Sequence, residues 1–335
     1  MPGGGGAAGA GAGAGNAGAG DAGGVAPSGG QGFEDAREAL PEHVGAFVWS
    51  WSPETLGRCD VLRRAARSYR EGRSSAGERV SSCGGLYVWG VDVLGWDTRA
   101  YGVLRKFVDA RRAEGMYHAR ELFLAALRWR DEYLGDDGSR PLSDFGDEPA
   151  HEPHDVRELV AEAGDTLDRL SAVSGRTAEG HQLVVAHYGA LAHRRAYAAI
   201  FGSEARVRAW CHWRVRQMEA VARATRFGTP GDKMLMVHDL HDLPVRLVAD
   251  GKVRKHLARM FDTLNACYPE FTVSHLLIRA SAMVRLVVLF VKPFVRPGRL
   301  RSCKGVGLLE EMLADAPLPD ELRRLSKRDV LNKAA

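Results

Sequence analysis

The sequence predicts an α/β protein in which an N-terminal helical segment precedes a largely parallel sheet. Three observations predict it. His181–Tyr188, Met234–Val237 and Val273–Ile278 are short runs too apolar to lie exposed, as in strands buried on both faces. The stretches between them, 203–226 and 246–268, repeat apolar residues at three-to-four spacing, as in long helices. Strand, helix, strand, helix, strand is the order that crossover units on a parallel sheet require, and the readable periodicity upstream is helical.

The elements follow in chain order. The stretch up to Gly32 is almost entirely Gly and Ala and holds nothing large enough to bury. Ordering it would cost entropy without return, so residues 1–40 are expected to be a disordered tail. The tail has neither the basic start nor the apolar core of a secretory signal. It carries Asp21 and no arginine before Arg37, unlike a transit peptide, and Pro2 removes the N-myristoylation pattern. Pro53-Glu54-Thr55 opens a helix carrying Arg63, Arg64, Arg67, Arg70 and Arg73. Such a run reads as a solvated face, the other reading being a patch on anionic membrane. Tyr101–Ala113 and Tyr117–Leu134 read as two helices, the second with an apolar stripe through Leu122, Ala125, Ala126 and Trp129. Residues 136–154, rich in Asp, Gly, Pro and Glu, read as a linker or surface loop. A helix over Asp155–Leu170 is expected to end near Gly175. Ser203 caps the helix running to Arg226, with Val207, Trp210, Cys211, Val215, Met218 and Val221 on one face. In the helix Arg246–Tyr268, Leu257, Met260, Phe261, Leu264 and Tyr268 are in register.

Composition excludes several classes. A net charge of +4 on 46 basic and 42 acidic residues is too mild to argue for nucleic acid. Five widely spaced cysteines, none in a C-x-x-C pair, fit a reducing compartment and supply no zinc framework. The longest apolar run, Leu286–Val291, is far short of the ~20 residues that span a bilayer. A soluble, cytoplasmic protein is expected. The cluster His238-Asp239-Leu240-His241-Asp242 looks most like a metal site. Strand alternation, however, puts His238 and Leu240 on one face and Asp239 and His241 on the other. No metal is therefore expected, and Asp239 is expected to bond backbone amides where the strand ends. There is no nucleophile elbow, Ser/His/Asp spacing or phosphate-cradling loop, so no catalytic residue is assigned. An enzyme using the 238–242 cluster is a competing reading.

The stretch Met260–Leu309 is the most informative. Met283–Val291 is apolar on nearly every side except Arg285 and runs into Lys292-Pro293-Phe294. A loop with Arg296, Arg299, Arg301 and Lys304 and no acid follows. The apolar helix reads either as core or as the wall of a cavity. The loop reads either as solvated or as a contact for a phosphorylated headgroup or anionic bilayer, where each basic residue adds ~1 kcal/mol. Together they suit a ligand with a greasy body and an anionic head.

Several stretches form recognisable words in order. Val88-Trp89-Gly90-Val91 and Leu104–Arg112 match an opening helical segment that closes in Arg128-Trp129-Arg130-Asp131-Glu132-Tyr133. Gly180–Val185 and Met236–Leu240 match two strands. Tyr268-Pro269-Glu270 and Val291-Lys292-Pro293-Phe294 are the most distinctive, and Leu308–Leu313 and Leu318–Leu322 match a closing helix and end. Over about Leu86–Leu325 the chain thus resembles the CRAL-TRIO lipid-binding family of phosphatidylinositol-transfer and patellin-like proteins. It departs from that pattern at Arg279-Ala280-Ser281, Asp242, Ser302 and Arg323-Arg324.

The resemblance implies a helical segment (41–135, of the family's type from about 86) before an α/β sandwich at 155–326, with a C-terminal tail at 327–335. A mostly parallel sheet would floor an apolar lipid pocket. The implied function is non-enzymatic binding and transfer of a phospholipid or other hydrophobic ligand between membranes, with phosphatidylinositol as a candidate. Bound lipid is the one cofactor expected. The headgroup would be held by Glu270, Arg301, Arg112, Ser302 and Lys304. Pocket and gate would comprise Val284, Val287, Val288, Val291, Phe294, Leu277, Leu235 and Val237, and Lys292, Arg296 and Arg299 would touch the membrane. The protein would be a monomer, peripheral on an anionic membrane, with no nucleic-acid partner. The alternative is a protein-interaction or signalling module on the same fold, without lipid transfer.

Overall fold

The computed structural model describes residues 50–75, 85–133, 154–279 and 300–302. The N-terminal part is helical. Helix α1 (Pro53–Ser75) packs against α2 (Thr98–Ala110) and α3 (Met116–Glu132). Asp97 caps α2 by accepting from the Ala100 amide at 2.8 Å. Arg63, expected on a solvated face, is buried instead. It donates to Asp60 at 2.6 Å and to the Tyr101 hydroxyl at 3.3 Å, and it stacks on Trp96. The three partners satisfy its donors and its charge, which is why burial is tolerated.

Between α1 and α2 the chain makes a hairpin of β1 (Tyr87–Val88) and β2 (Val91–Asp92) that periodicity did not suggest. Its turn residues, Trp89 and Gly90, both have positive φ (56° and 74°), the backbone of a tight primed turn. That geometry throws Trp89 inward. Its fully buried ring sits 5.5–5.8 Å from those of Phe107, Phe227, Tyr268 and Phe271, joining α2 to two loops of the α/β part.

The α/β part begins with α4 (His154–Leu170), which leads directly into β3 (Ser171–Arg176). The sheet runs β3-β4-β5-β6-β7, with β4 at Gln182–His187, β5 at Met234–Asp239, β6 at Thr272–Ile278 and β7 at Leu300–Ser302. Strands β4 to β7 are parallel and β3 is antiparallel, so the sheet is mixed but mostly parallel. Two strands escaped the sequence reading. β3 lies at an edge, half-exposed and rich in Ser, Gly and Arg, so it lacks an apolar run. β7 falls inside the expected basic loop and becomes a strand by pairing with His275–Leu277.

The crossover helices are α5 (Arg194–Phe201), not expected, and α6 (Glu204–Ala224), where Ser203 accepts from the Arg206 amide at 3.2 Å. The single helix expected over 246–268 is two: α7 (Val245–Ala249) and α8 (Gly251–Cys267). Asp250 divides them, its carboxylate capping the Lys252 and Val253 amides at 2.9 and 3.3 Å. Helices α4, α5, α6 and α8 share an apolar core that includes Leu167, Ile200, Phe201 and Trp213. Among the described residues no helix is long and apolar enough to cross a membrane.

Two buried ion pairs and one close backbone approach tie the helical part to the α/β part. Lys106 of α2 reaches Asp232 before β5 at 3.1 Å. Arg130 of α3 grips Glu219 of α6 with two bonds, at 2.7 and 2.9 Å, and the Tyr268 hydroxyl donates to the same carboxylate. This explains why the buried residues of α3 are Ala119, Phe123, Leu124, Ala126, Leu127 and Arg130, leaving Ala125 exposed and Leu122 and Trp129 half-buried. A charged residue occupies the inside of the stripe. Gly102 of α2 lies against Gly228, where a Cβ would overlap the Gly228 amide. The Arg130–Glu219 pair is more than nine-tenths buried on both sides, so removing one charge strands the other in low dielectric. Glu219→Gln should therefore lower unfolding free energy by ~3–5 kcal/mol in urea titration. A loss below ~1 kcal/mol, the range of exposed pairs, would show that the carboxylate is solvated.

Candidate ligand-binding site

Strand alternation gives the sheet two unlike faces. On the face toward α6 and α8 stand Ala186 of β4, Met234, Met236 and His238 of β5, and His275 and Leu277 of β6. Between them and Trp210, Arg214 and Met218 of α6 and Leu257, Met260, Phe261 and Leu264 of α8 lies a cavity of ≈ 140 Å³. Phe201, Leu240, Leu243, Leu247, Tyr268 and Phe271 complete much of its lining. The wall is mostly Met, Leu and aromatic side chains, which fill space without imposing a hydrogen-bond pattern.

One corner is polar. The Tyr188 hydroxyl and His238 Nδ1 are 3.0 Å apart, and His238 Nε2 is 3.0 Å from His275 Nδ1. Burial, then neighbouring His275 and Arg214, hold His238 well below the usual histidine range, so it is neutral at pH 7. Burial also raises Tyr188, which keeps its proton. Arg214 is fixed by Ser171 Oγ at 2.9 Å and by Gln217 Oε1, while Gln217 in turn donates to the Ser171 carbonyl at 2.8 Å.

The end of β5 behaves as alternation predicts. His238 and Leu240 face the cavity, and Asp239 turns the other way. Asp239 accepts from the His241 amide at 3.2 Å, from His187 at 2.8 Å and from two nitrogens of Arg279, with Nε at 2.8 Å. Arg279, one of the departures from the family pattern, thus clamps the end of β6 to the end of β5. Its own φ is +51°, an unusual backbone that the double bond to Asp239 helps hold. His238 and Asp239 are each engaged in different directions, and among the described residues no group of three metal-ligating side chains assembles.

The remaining expected site residues distribute unevenly. Leu277 lines the cavity. Leu235 and Val237 do not: both are fully buried on the opposite face, because only alternate β5 residues, Met234, Met236 and His238, point to α6 and α8. Glu270 is half-buried with φ +54° in the turn after Pro269, and its charge favours the ionised form of Lys106. Arg112 lies exposed in the turn after α2. Lys106 of the opening helices, which the family pattern did not single out, is thus one cation near enough for Glu270 to act on. Arg301 and Ser302 lie on β7 beside Leu276 and Leu277. Val284, Val287, Val288, Val291, Lys292, Phe294, Arg296, Arg299 and Lys304 lie outside the described residues. The residues missed by sequence reasoning are Tyr188, His275 and Arg214. Arg214 left a signal: it stands four residues from both Trp210 and Met218, a charge in the middle of the apolar face of α6.

Helices packed on one face of a mostly parallel sheet thus border a mostly apolar cavity. Residues 169–321, a little under half of the chain, match the family model of the CRAL/TRIO domain. The family is known for binding and transferring lipids and other small hydrophobic ligands, and its members are generally not enzymes. Patellin-6 of Arabidopsis thaliana is 22% identical over 234 residues, covering 70% of this chain and 50% of that protein. The chain thus spans about half the length of this curated relative. In fold it is similar to the crystal structure of Sfh5, with a TM-score of 0.56 and 13% identity, covering 78% of this chain and 84% of that one.

The Asp239 cluster predicts an acid-sensitive step. Burial alone would raise its carboxyl, but hydrogen bonds from His187 and Arg279 and the Arg279 charge outweigh it and bring it from 3.8 to about 2. The folded value lies below the unfolded one, so this stabilisation is complete above about pH 4 and is lost as pH falls toward 2. It amounts to about 2 kcal/mol. In urea titrations between pH 5 and 2, Asp239→Asn should remove about that much of the acid-dependent loss; an unchanged pH slope refutes the assignment.

Proposed function

We propose that the protein binds a lipid in the cavity beneath α6 and α8 and transfers it between membranes. The single observation that carries this reading is the cavity of ≈ 140 Å³ with a wall mostly of methionine, leucine and aromatic side chains. Burying an acyl chain there would contribute ~0.8 kcal/mol per methylene. A dry cavity of about 150 Å³ takes a guest no larger than benzene, so a long chain enters only when a wall moves. A gated pocket is therefore part of the reading. The apolar segment 283–291 is the candidate gate by its sequence, with Val284, Val287, Val288, Val291 and Phe294 against the ligand. Lys292, Arg296 and Arg299 would then meet an anionic membrane, where their charges favour reversible binding.

Native mass spectrometry of the purified chain should show a co-purifying lipid. Leu264→Trp, which overfills the cavity at a cost of ~1–3 kcal/mol, should cut lipid affinity roughly five- to hundredfold while the variant still unfolds cooperatively. A wild-type protein that is always empty and takes up no lipid from vesicles ends this reading in favour of an interaction module.

For the headgroup, phosphatidylinositol is the proposed ligand, held by Glu270 with Arg301, Ser302, Lys304 and Arg112. The support is the family resemblance of the Tyr268-Pro269-Glu270 turn and the position of Arg301 and Ser302 on the strand next to β6. Glu270→Ala and Arg301→Ala should each lower phosphatidylinositol transfer relative to phosphatidylcholine by roughly tenfold, the loss of one charge-assisted hydrogen bond. Unchanged selectivity in both variants removes these residues from the headgroup site.

A further inference from the structure

We infer that the cavity selects an amphiphile with an ionised acid head, a carboxylate or a phosphate monoester, seated inward against Arg214. The inference rests on the lipid-binding reading above but not on its phosphatidylinositol headgroup, to which an acid head at Arg214 is the alternative. Arg214 is 8% exposed, and it belongs to the cavity wall. A guanidinium cannot shed its proton in a protein, so this is a fixed positive charge in a nearly dry place. Among the described residues no carboxylate lies within ion-pair distance of it. Its hydrogen-bond partners, Ser171 Oγ and Gln217 Oε1, are neutral, and both engage the same nitrogen, Nη1. The other buried cations of the fold are treated differently: Arg130 has Glu219, Lys106 has Asp232 and Arg63 has Asp60. Arg214 alone among these four has no counter-charge among the described residues.

Its surroundings are suited to a guest anion. Burial pulls Arg214 down from its ordinary value, and the groups close enough to act on it, Tyr188 and Cys211, are neutral in the folded protein. Tyr188 is hydrogen-bonded to His238, and His238 to His275. That chain can run either way, since each ring nitrogen may donate or accept. When it runs from His275 toward Tyr188, the tyrosine proton is free to donate to the guest beside the guanidinium. The corner then presents one charged and one neutral donor, while most of the remaining wall, Asn265 and Thr272 apart, suits a hydrocarbon tail. An anion seated there removes the cost of the uncompensated charge, and a neutral head does not.

The test uses the delipidated full chain and three probes with one tail: dodecanoate, dodecyl phosphate and dodecanol. By calorimetry at pH 7, dodecanoate or dodecyl phosphate should bind roughly tenfold or more tighter than dodecanol, as expected for a charge-assisted hydrogen bond in a dry site. The anion with the larger gain identifies the source. Arg214→Met should abolish the preference while still binding dodecanol, and Arg214→Lys should keep part of it. Removing a buried charge without a counter-ion leaves Arg214→Met no less stable than wild type, so its folding can be checked by thermal melting without ligand. Equal affinity of the wild type for all three probes overturns the inference and leaves the lipid pocket standing, as does an undiminished anion preference in Arg214→Met. Failure of all three probes to bind overturns the pocket itself.

Discussion

The bidentate pair between Arg130 and Glu219, with the Tyr268 hydroxyl on the same carboxylate, is the constraint on which the rest of the structure depends. It joins α3, α6 and the end of α8 at one buried point. Both α6 and α8 also form the roof of the cavity, so the pair that fastens the helical part fixes the roof over the sheet. A buried ion pair gives little net stability compared with apolar packing, but it tolerates few alternative geometries. Beside it, Trp89 fills the space between α2, Phe227 and Phe271, and Gly102 and Gly228 allow the backbones to touch.

Two faces of one sheet divide the labour of the fold. Leu235, Val237 and Leu276 are fully buried on one face. On the other, flexible Met234 and Met236 border a space that packing leaves unfilled. An unfilled apolar space forfeits dispersion contacts, so it is a standing cost to the folded state. Its retention is consistent with a guest that recovers those contacts. The corner at Arg214, Tyr188 and His238 sets one part of that space apart from a mostly apolar wall.

Much of the fold was legible because β4, β5 and β6 are apolar on both faces and α6 and α8 carry long periodic stripes. The elements that escaped have weak intrinsic signals. β3 and β7 exist because a neighbouring strand offers hydrogen bonds, and α5 is only a short helix. The break at Asp250 was hidden because both sides remain helical and periodicity nearly continues across it. The candidate site was less legible. Alternation correctly sent His238 and Asp239 to opposite faces, but parity does not say which face holds the cavity, and Leu235 and Val237 fell on the wrong side.

By itself the sequence determined the class of the fold, the order of its central strands and long helices, and the family resemblance, because these follow from periodicity, caps and short words local in the chain. Tertiary structure alone decided the meaning of the buried charges. Arg63, Lys106, Arg130 and Arg214 look alike in sequence, each a cation on a helix. Whether such a charge is paired, and so structural, or uncompensated, and so available to a guest, depends on partners tens of residues away. No local pattern encodes that distance.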